Sequence, residues 1–368
     1  MIPPPRVSSA APLDQALAAS AATAARWTQS AADAAWCNLK EPDWGQGAEA
    51  VSSEQIEARL KEMPAQRQLT AEADRLTKRW AQDLKQRGDE RSLAMAALID
   101  GSAEAQGRLL DMARHTRDPA VYAWALGMCR ATGPCEALSP RRWAQLDPGN
   151  MTPWIYEAGD ARHRKDEQGV QEAVYQISRS SRSERYVGPL LQVMDGQREA
   201  TAPGLQMMAE LAVPMSMTWI YMLPSYAPVT QYCSTSTADP ARAAVCTNVA
   251  EALWGQTDTL LDRSIALAIA RRLPSEEAAR WTARADERDA MMVASRENAE
   301  ELNEGGAPCS LLPFLERRLK AQASLGEWGA LRARLEGRDV AALARKYREG
   351  MAEARTRDNP ASAVRPGS

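Results

Sequence analysis

The run from Asp118 to Arg182, DPAVYAWALGMCRATGPCEALSPRRWAQLDPGNMTPWIYEAGDARHRKDEQGVQEAVYQISRSSR, most restricts what this chain can fold into. Its apolar segments are cut at short intervals by Asp118-Pro119, Gly133-Pro134, Ser139-Pro140, Asp147-Pro148 and Thr152-Pro153. A Ser, Thr or Asp ahead of proline reads as a helix start. The side-chain oxygen caps the first free N–H groups, and proline at the first helical position lacks the N–H that would be unpaired there. Between the breaks, Val121, Tyr122, Trp124, Ala125 and Met128 recur at intervals of three and four, and Ile155, Ala158 and Arg162 repeat the spacing beside Trp154. Each segment therefore carries one apolar face. A helix of about ten to fifteen residues is marginal alone and must bury that face on a neighbour. The expected fold is all-α, built of stacked antiparallel helical hairpins with little or no β-structure.

The run from Asp147 to Ser180 resembles a degenerate tetratricopeptide repeat. Asp147-Pro148 opens it, Trp154 and Ala158 match the bulky and small packing positions of a first helix, Asp166 matches the polar turn, and a second helix runs to Ser180. Val170 and Ile177 stand where the family has small residues, Ala161 where it has an aromatic, and Arg182 where its terminal proline falls. Residues 89–118 have a similar two-helix layout, so the resemblance covers residues 89–182. It implies an α-solenoid-like, right-handed stack of the kind that binds a protein or peptide partner, and it transfers no functional residue.

Along the chain, residues 1–12 read as a flexible lead-in. Residues 13–200 read as an N-terminal hairpin stack holding the repeat-like unit 147–180. A C-terminal helical region, 201–357, continues it, and residues 358–368 read as a disordered tail. Helices are expected over 13–37, 53–63, 69–87, 92–100, 103–115, 184–194 and 201–212. Pro214, Pro224 and Pro228 are expected to break the apolar run 213–233. Further helices follow from Asp239-Pro240 to Trp254, on a stripe of Leu261, Ile265, Ile269 and Leu273, and over 275–302, 310–323 and 328–355.

Charge excludes more than it suggests. The 45 basic residues are nearly all arginine, but 48 acidic residues are interspersed with them, as in RADERDA, which is the pattern of a solvated, ion-paired surface. Nucleic acid is therefore not an expected partner. No apolar run approaches the roughly eighteen residues of a membrane span. No cofactor or metal is expected: there are two histidines, no CxxC, and no phosphate loop, nucleophile elbow or HExxH. Met194, Met207, Met208, Met215, Met217 and Met222 could supply thioether ligands for Cu(I), yet methionine is first of all a filler of irregular cores.

Cysteine points to a compartment. Cys129 and Cys135 flank the Gly133-Pro134 turn, and Cys233 and Cys246 flank the link into the Asp239-Pro240 helix, so both pairs stand at helix ends where two sulfurs can meet. Cys37 and Cys309 are left for a third bridge, although six cysteines allow fifteen connectivities and spacing does not choose among them. Disulfides imply the periplasm or the cell exterior; buried free thiols would mean a cytoplasmic protein.

The expected function is a non-enzymatic scaffold or adaptor of the bacterial envelope. Tyr122, Arg141, Arg142 and Tyr156 are the candidate binding residues on a concave face. An envelope hydrolase without a local motif, or an inhibitor that masks one cognate partner, are the alternatives. Oligomeric state is not legible.

Overall fold

The computed structural model describes Cys37 and residues 64–131, 135–199, 202–219, 224–234, 239–273, 278–304 and 308–358. The expected lead-in, the helices over 13–37 and 53–63, and the tail lie outside these, Cys37 excepted. The described residues are all-α, with no strand; the one β-bridge joins Asn150 to Arg182. The helices are α1 (Pro64–Arg87), α2 (Glu90–Asp100), α3 (Ala103–His115), α4 (Pro119–Ala131), α5 (Pro140–Leu146), α6 (Thr152–His163), α7 (Glu167–Arg179) and α8 (Val187–Asp195). After them come α9 (Gly204–Trp219), α10 (Ala227–Ser234), α11 (Pro240–Gly255), α12 (Leu260–Ala270), α13 (Ala278–Glu304), α14 (Leu312–Ala333) and α15 (Val340–Asp358), with a 3-10 turn at Pro308–Leu311.

Capping explains most of these boundaries. Asp89, Ser102, Ser139, Asp166, Asp239 and Thr259 each accept a backbone N–H from the first turn of the helix that follows. Glycine in the left-handed region at Gly88 and Gly101 closes α1 and α2, with φ of 73° and 65°.

The helices pack into two cores. Leu76, Trp80 and Leu84 of α1 join Met95 of α2, Leu109 of α3, Trp124 of α4, Leu190 of α8, Leu211 of α9 and Leu315 of α14 in the first. Ile155 of α6, Ile177 of α7, Val229 of α10, Leu253 of α11, Leu267 of α12, Met291 of α13 and Trp328 of α14 make the second. The chain passes back and forth between them. α14 serves both, because it bends at Gly326 (φ 70°, ψ 179°): Leu312, Leu315 and Leu319 enter the first core, Trp328 and Leu331 the second.

Four expectations are corrected. α9 runs through Pro214 to Trp219, although proline there removes one helical hydrogen bond and costs about 3 kcal/mol. Pro214 is buried between Val213 and Met217 in the first core, and that packing offsets the loss. Pro224 lies outside any helix, and Pro228 sits in the first turn of α10, where it is tolerated. On α12 the stripe fails at one end only: Ile269 is buried and Ile265 and Leu273 pack against the second core, but Leu261 is 37% exposed, and Leu260, Ala266, Leu267 and Ala270 also face inward with the carboxylate of Asp262 among them. Residues 328–355 are not one helix, since Gly337 (φ 74°) separates α14 from α15. Finally, α8 starts at Val187, because residues 183–186 are drawn into the polar joint described next.

Candidate functional site

A polar joint fills the seam between the two cores. The segment 180–186, SSRSERY, threads past the start of α6, where Met151 N donates to Arg182 O at 2.9 Å and Glu184 N donates to Asn150 Oδ1 at 2.9 Å. The buried carboxylate of Asp147 accepts from the Tyr186 hydroxyl at 2.6 Å and from Asn150 Nδ2 at 2.7 Å, and it forms an ion pair with Arg182. Deeper in, Arg185 Nη2 donates to both oxygens of Asp262 at 2.8 and 2.9 Å and to the Tyr226 hydroxyl at 2.8 Å, and that hydroxyl donates to Asp262 in turn. Burial pushes the Asp262 carboxyl up, against the pull of Arg185. Trp124 of the first core ties the seam down by donating Nε1 to Tyr186 O at 3.0 Å.

Two more glutamates border the seam. Glu327, just past the Gly326 bend, accepts from Leu260 N at 3.2 Å, and burial raises its carboxyl, with Asp258 adding to the effect. Burial likewise raises Glu184, against its hydrogen bond from Tyr186 N. The seam is nearly solid. The cavity between Gly127, Trp143, Thr152, Tyr156 and Arg185 has room for about one water.

The candidate binding residues separate. Tyr122 is 2% exposed, and its hydroxyl donates to Ser139 O at 3.1 Å and accepts from Ser139 N at 3.0 Å. Tyr156 is buried against Trp143, ring centroids 6.1 Å apart, under the Arg130 guanidinium at 5.0 Å. Arg141 is an internal clamp, with Nε donating to buried Glu157 and Nη2 to Glu172, each at 2.9 Å. Arg142 alone of the four is an exposed residue, at the start of α5. Both tyrosines thus lie in packing positions, and the exposed aromatic of this region is Tyr175 of α7, at 46%. Its signal in the sequence is its place between Glu172 and Arg179, on the polar face of an amphipathic helix.

All six cysteines are paired. Cys129–Cys135 and Cys233–Cys246 close the two helix-flanking links, with Cα atoms 5.3 and 5.6 Å apart. Cys37–Cys309 adds the third bond across 272 residues, Cα atoms 4.9 Å apart. Met194, Met207, Met208 and Met217 are buried in the first core, Met215 packs partly against it, and Met222 lies outside the described residues. Among the described residues no cluster of His, Cys, Asp and Glu could hold a metal ion, and no helix is long and apolar enough to cross a membrane. Comparison of the chain with protein-family models, with curated proteins and with solved structures returns no match.

Proposed function

We propose that this chain is a non-enzymatic helical scaffold of an oxidising compartment, the bacterial periplasm or the cell exterior, and that it holds a protein or peptide partner along the edge of α5 and α7. The observation that carries this reading is the direction in which buried charge points. Asp147, Glu157 and Asp262 are each engaged by arginines of the same chain, and the cavity beside them admits only a water. An enzyme gathers such groups around an open pocket. A scaffold uses them to fix one helix against the next. Three disulfides support the compartment, because such bonds persist where thiols are not kept reduced.

The α5–α7 edge offers what a partner needs. Arg142 is exposed, Arg141 bridges to exposed Glu172, and Tyr175 follows one turn later with the Arg179 guanidinium 5.6 Å over its ring. Exposed aromatics and arginines are the usual anchors of an interface. A photo-crosslinking residue at position 175, in protein made in its own host, is expected to give one discrete adduct that position 114 on α3 does not give. Tyr175→Ser and Arg142→Glu are each expected to lower recovery of that partner about tenfold. Unchanged recovery in both variants would sink the edge assignment. Intact mass after alkylation without reductant tests the compartment: six modified cysteines in host-derived protein would overturn it.

A further inference from the structure

Four helices of the second core meet around a ladder of rings and guanidinium groups. Trp254 of α11 stands edge-on to Trp281 of α13 and Trp328 of α14, with ring centroids 6.4 and 5.5 Å away. The Arg284 guanidinium of α13 lies 4.4 Å from the Trp281 ring, and that of Arg263 of α12 lies 4.0 Å from Trp328 and 5.3 Å from Trp254. These cations are not served alike. Glu251 receives both Arg280 and Arg284, and Glu287 stands 3.6 Å from Arg332. Arg263 makes no ion pair among the described residues. Its hydrogen bond runs from Nη2 to the carbonyl of Thr257 at 2.9 Å.

A guanidinium carries five N–H donors, so one bond leaves it under-used. Its Nε is buried without an acceptor, and so is the indole Nε1 of Trp328 in the same cluster. Burial, followed by the charges of Arg332 and Arg284, pushes the Arg263 pKa down to about 10, against the pull of Glu287 and Asp258. A cation held in this way, dehydrated on one side and pressed by like charges, is stabilised by an anion that reaches it.

We propose that Arg263, backed by the Trp328 and Trp254 rings and with Arg332 at the rim, binds the oxyanion group of a ligand, a phosphate or a carboxylate. The planar fork presents N–H donors to two oxygens at once, which a lysine cannot do. Stacking on the indoles fixes the plane of the fork before a ligand arrives, so little side-chain freedom is lost on binding. Arg332, whose side chain is 72% exposed, adds a second positive charge at the solvent side. The proposal is independent of the α5–α7 edge and needs no partner protein.

The test is thermal unfolding of the full oxidised chain in sodium phosphate, sodium acetate or sodium chloride at matched ionic strength. Saturating oxyanion is expected to raise the Tm by roughly 2–4 °C over chloride. A gain in phosphate alone that Arg332→Gln diminishes names phosphate as the group recognised, and such a gain in acetate alone names carboxylate; the general effect of either salt on burial is shared by the variant. Arg263→Gln is expected to abolish the gain and Arg332→Gln to reduce it. Because Arg263 also packs on two rings, Arg263→Gln can fail to fold; exposed Arg332 then carries the test. The proposal is overturned if wild type shows no gain in either oxyanion, or if Arg332→Gln and any folded Arg263→Gln protein keep the full gain.

Discussion

The two cores handle bulk and charge differently. The first is filled by leucine, alanine and methionine around Trp80, Trp124 and Trp143: its buried methionines number six, against two in the second. Thioether side chains adapt to irregular gaps, so this core closes without closely matched shapes. Its buried charges meet carboxylates, as where Arg198 stands between Glu210, Glu316 and Asp195. The second core is richer in Ile and Val, and its arginines lie on rings: Arg263 with no carboxylate partner among the described residues, Arg284 on rings as well as on Glu251. Stacking lets a guanidinium be half-buried without a carboxylate at every turn. A chain with a single phenylalanine and many arginines thus uses indole for both apolar bulk and charge compensation.

Changes at the seam and at the staples sharpen this contrast. The largest effect is expected for Cys37→Ser with Cys309→Ser, which frees the longest loop; loop entropy gives a loss of roughly 5 kcal/mol, against about 2 kcal/mol for Cys129→Ser with Cys135→Ser. Denaturant melts that rank the two in the opposite order would mean that the first core does not depend on its long staple. Next, Arg185→Met leaves the carboxylate of Asp262 buried without its cation and is expected to cost about 3–5 kcal/mol. Adding Asp262→Asn should recover part of that; a single-variant loss below about 1 kcal/mol would show that the seam is not a shared ionic joint.

Gly326→Ala tests the bend. A Cβ there would lie 2.6 Å from Asp258 Oδ2 on a backbone that only glycine adopts readily, so roughly 2–3 kcal/mol is expected to be lost. The smallest effect depends on pH. Because burial raises the Glu327 carboxyl in the folded chain, its contribution is full below the ordinary glutamate range and is lost as pH rises through the raised value. Glu327→Gln, which can still accept from Leu260 N, should therefore melt higher than wild type near neutral pH and match it in acid. A difference that stays constant across pH would show that the residue acts through packing alone.

Local signals were legible in the chain, and pairings over long separations were not. α3 begins and ends where Ser102 and the Asp118-Pro119 break say it should, because cap and stop lie within a few residues of it. The two short disulfides were legible for the same reason. Tyr122 was not, because its periodic position fits a core and a groove equally well. What decides for the core is a bond to Ser139, on the far side of a disulfide-closed turn. Asp262 could have been noticed as the one acid in LLDRSIALAIA, but its partner Arg185 lies 77 residues away. Nothing local to SSRSERY marks it as anything other than a linker.

The sharing of α14 has a consequence for how the protein is made. Neither core is complete until residues 312–331 are present, since the first needs Leu312, Leu315 and Leu319 and the second needs Trp328 and Leu331. Cys309, immediately upstream, is also the partner that Cys37 waits for. A nascent chain cannot finish one half and then start the other, as chains with sequential domains do. It stays unfinished until residues 312–331 have been synthesised, and until then each half exposes the apolar faces that those residues will cover.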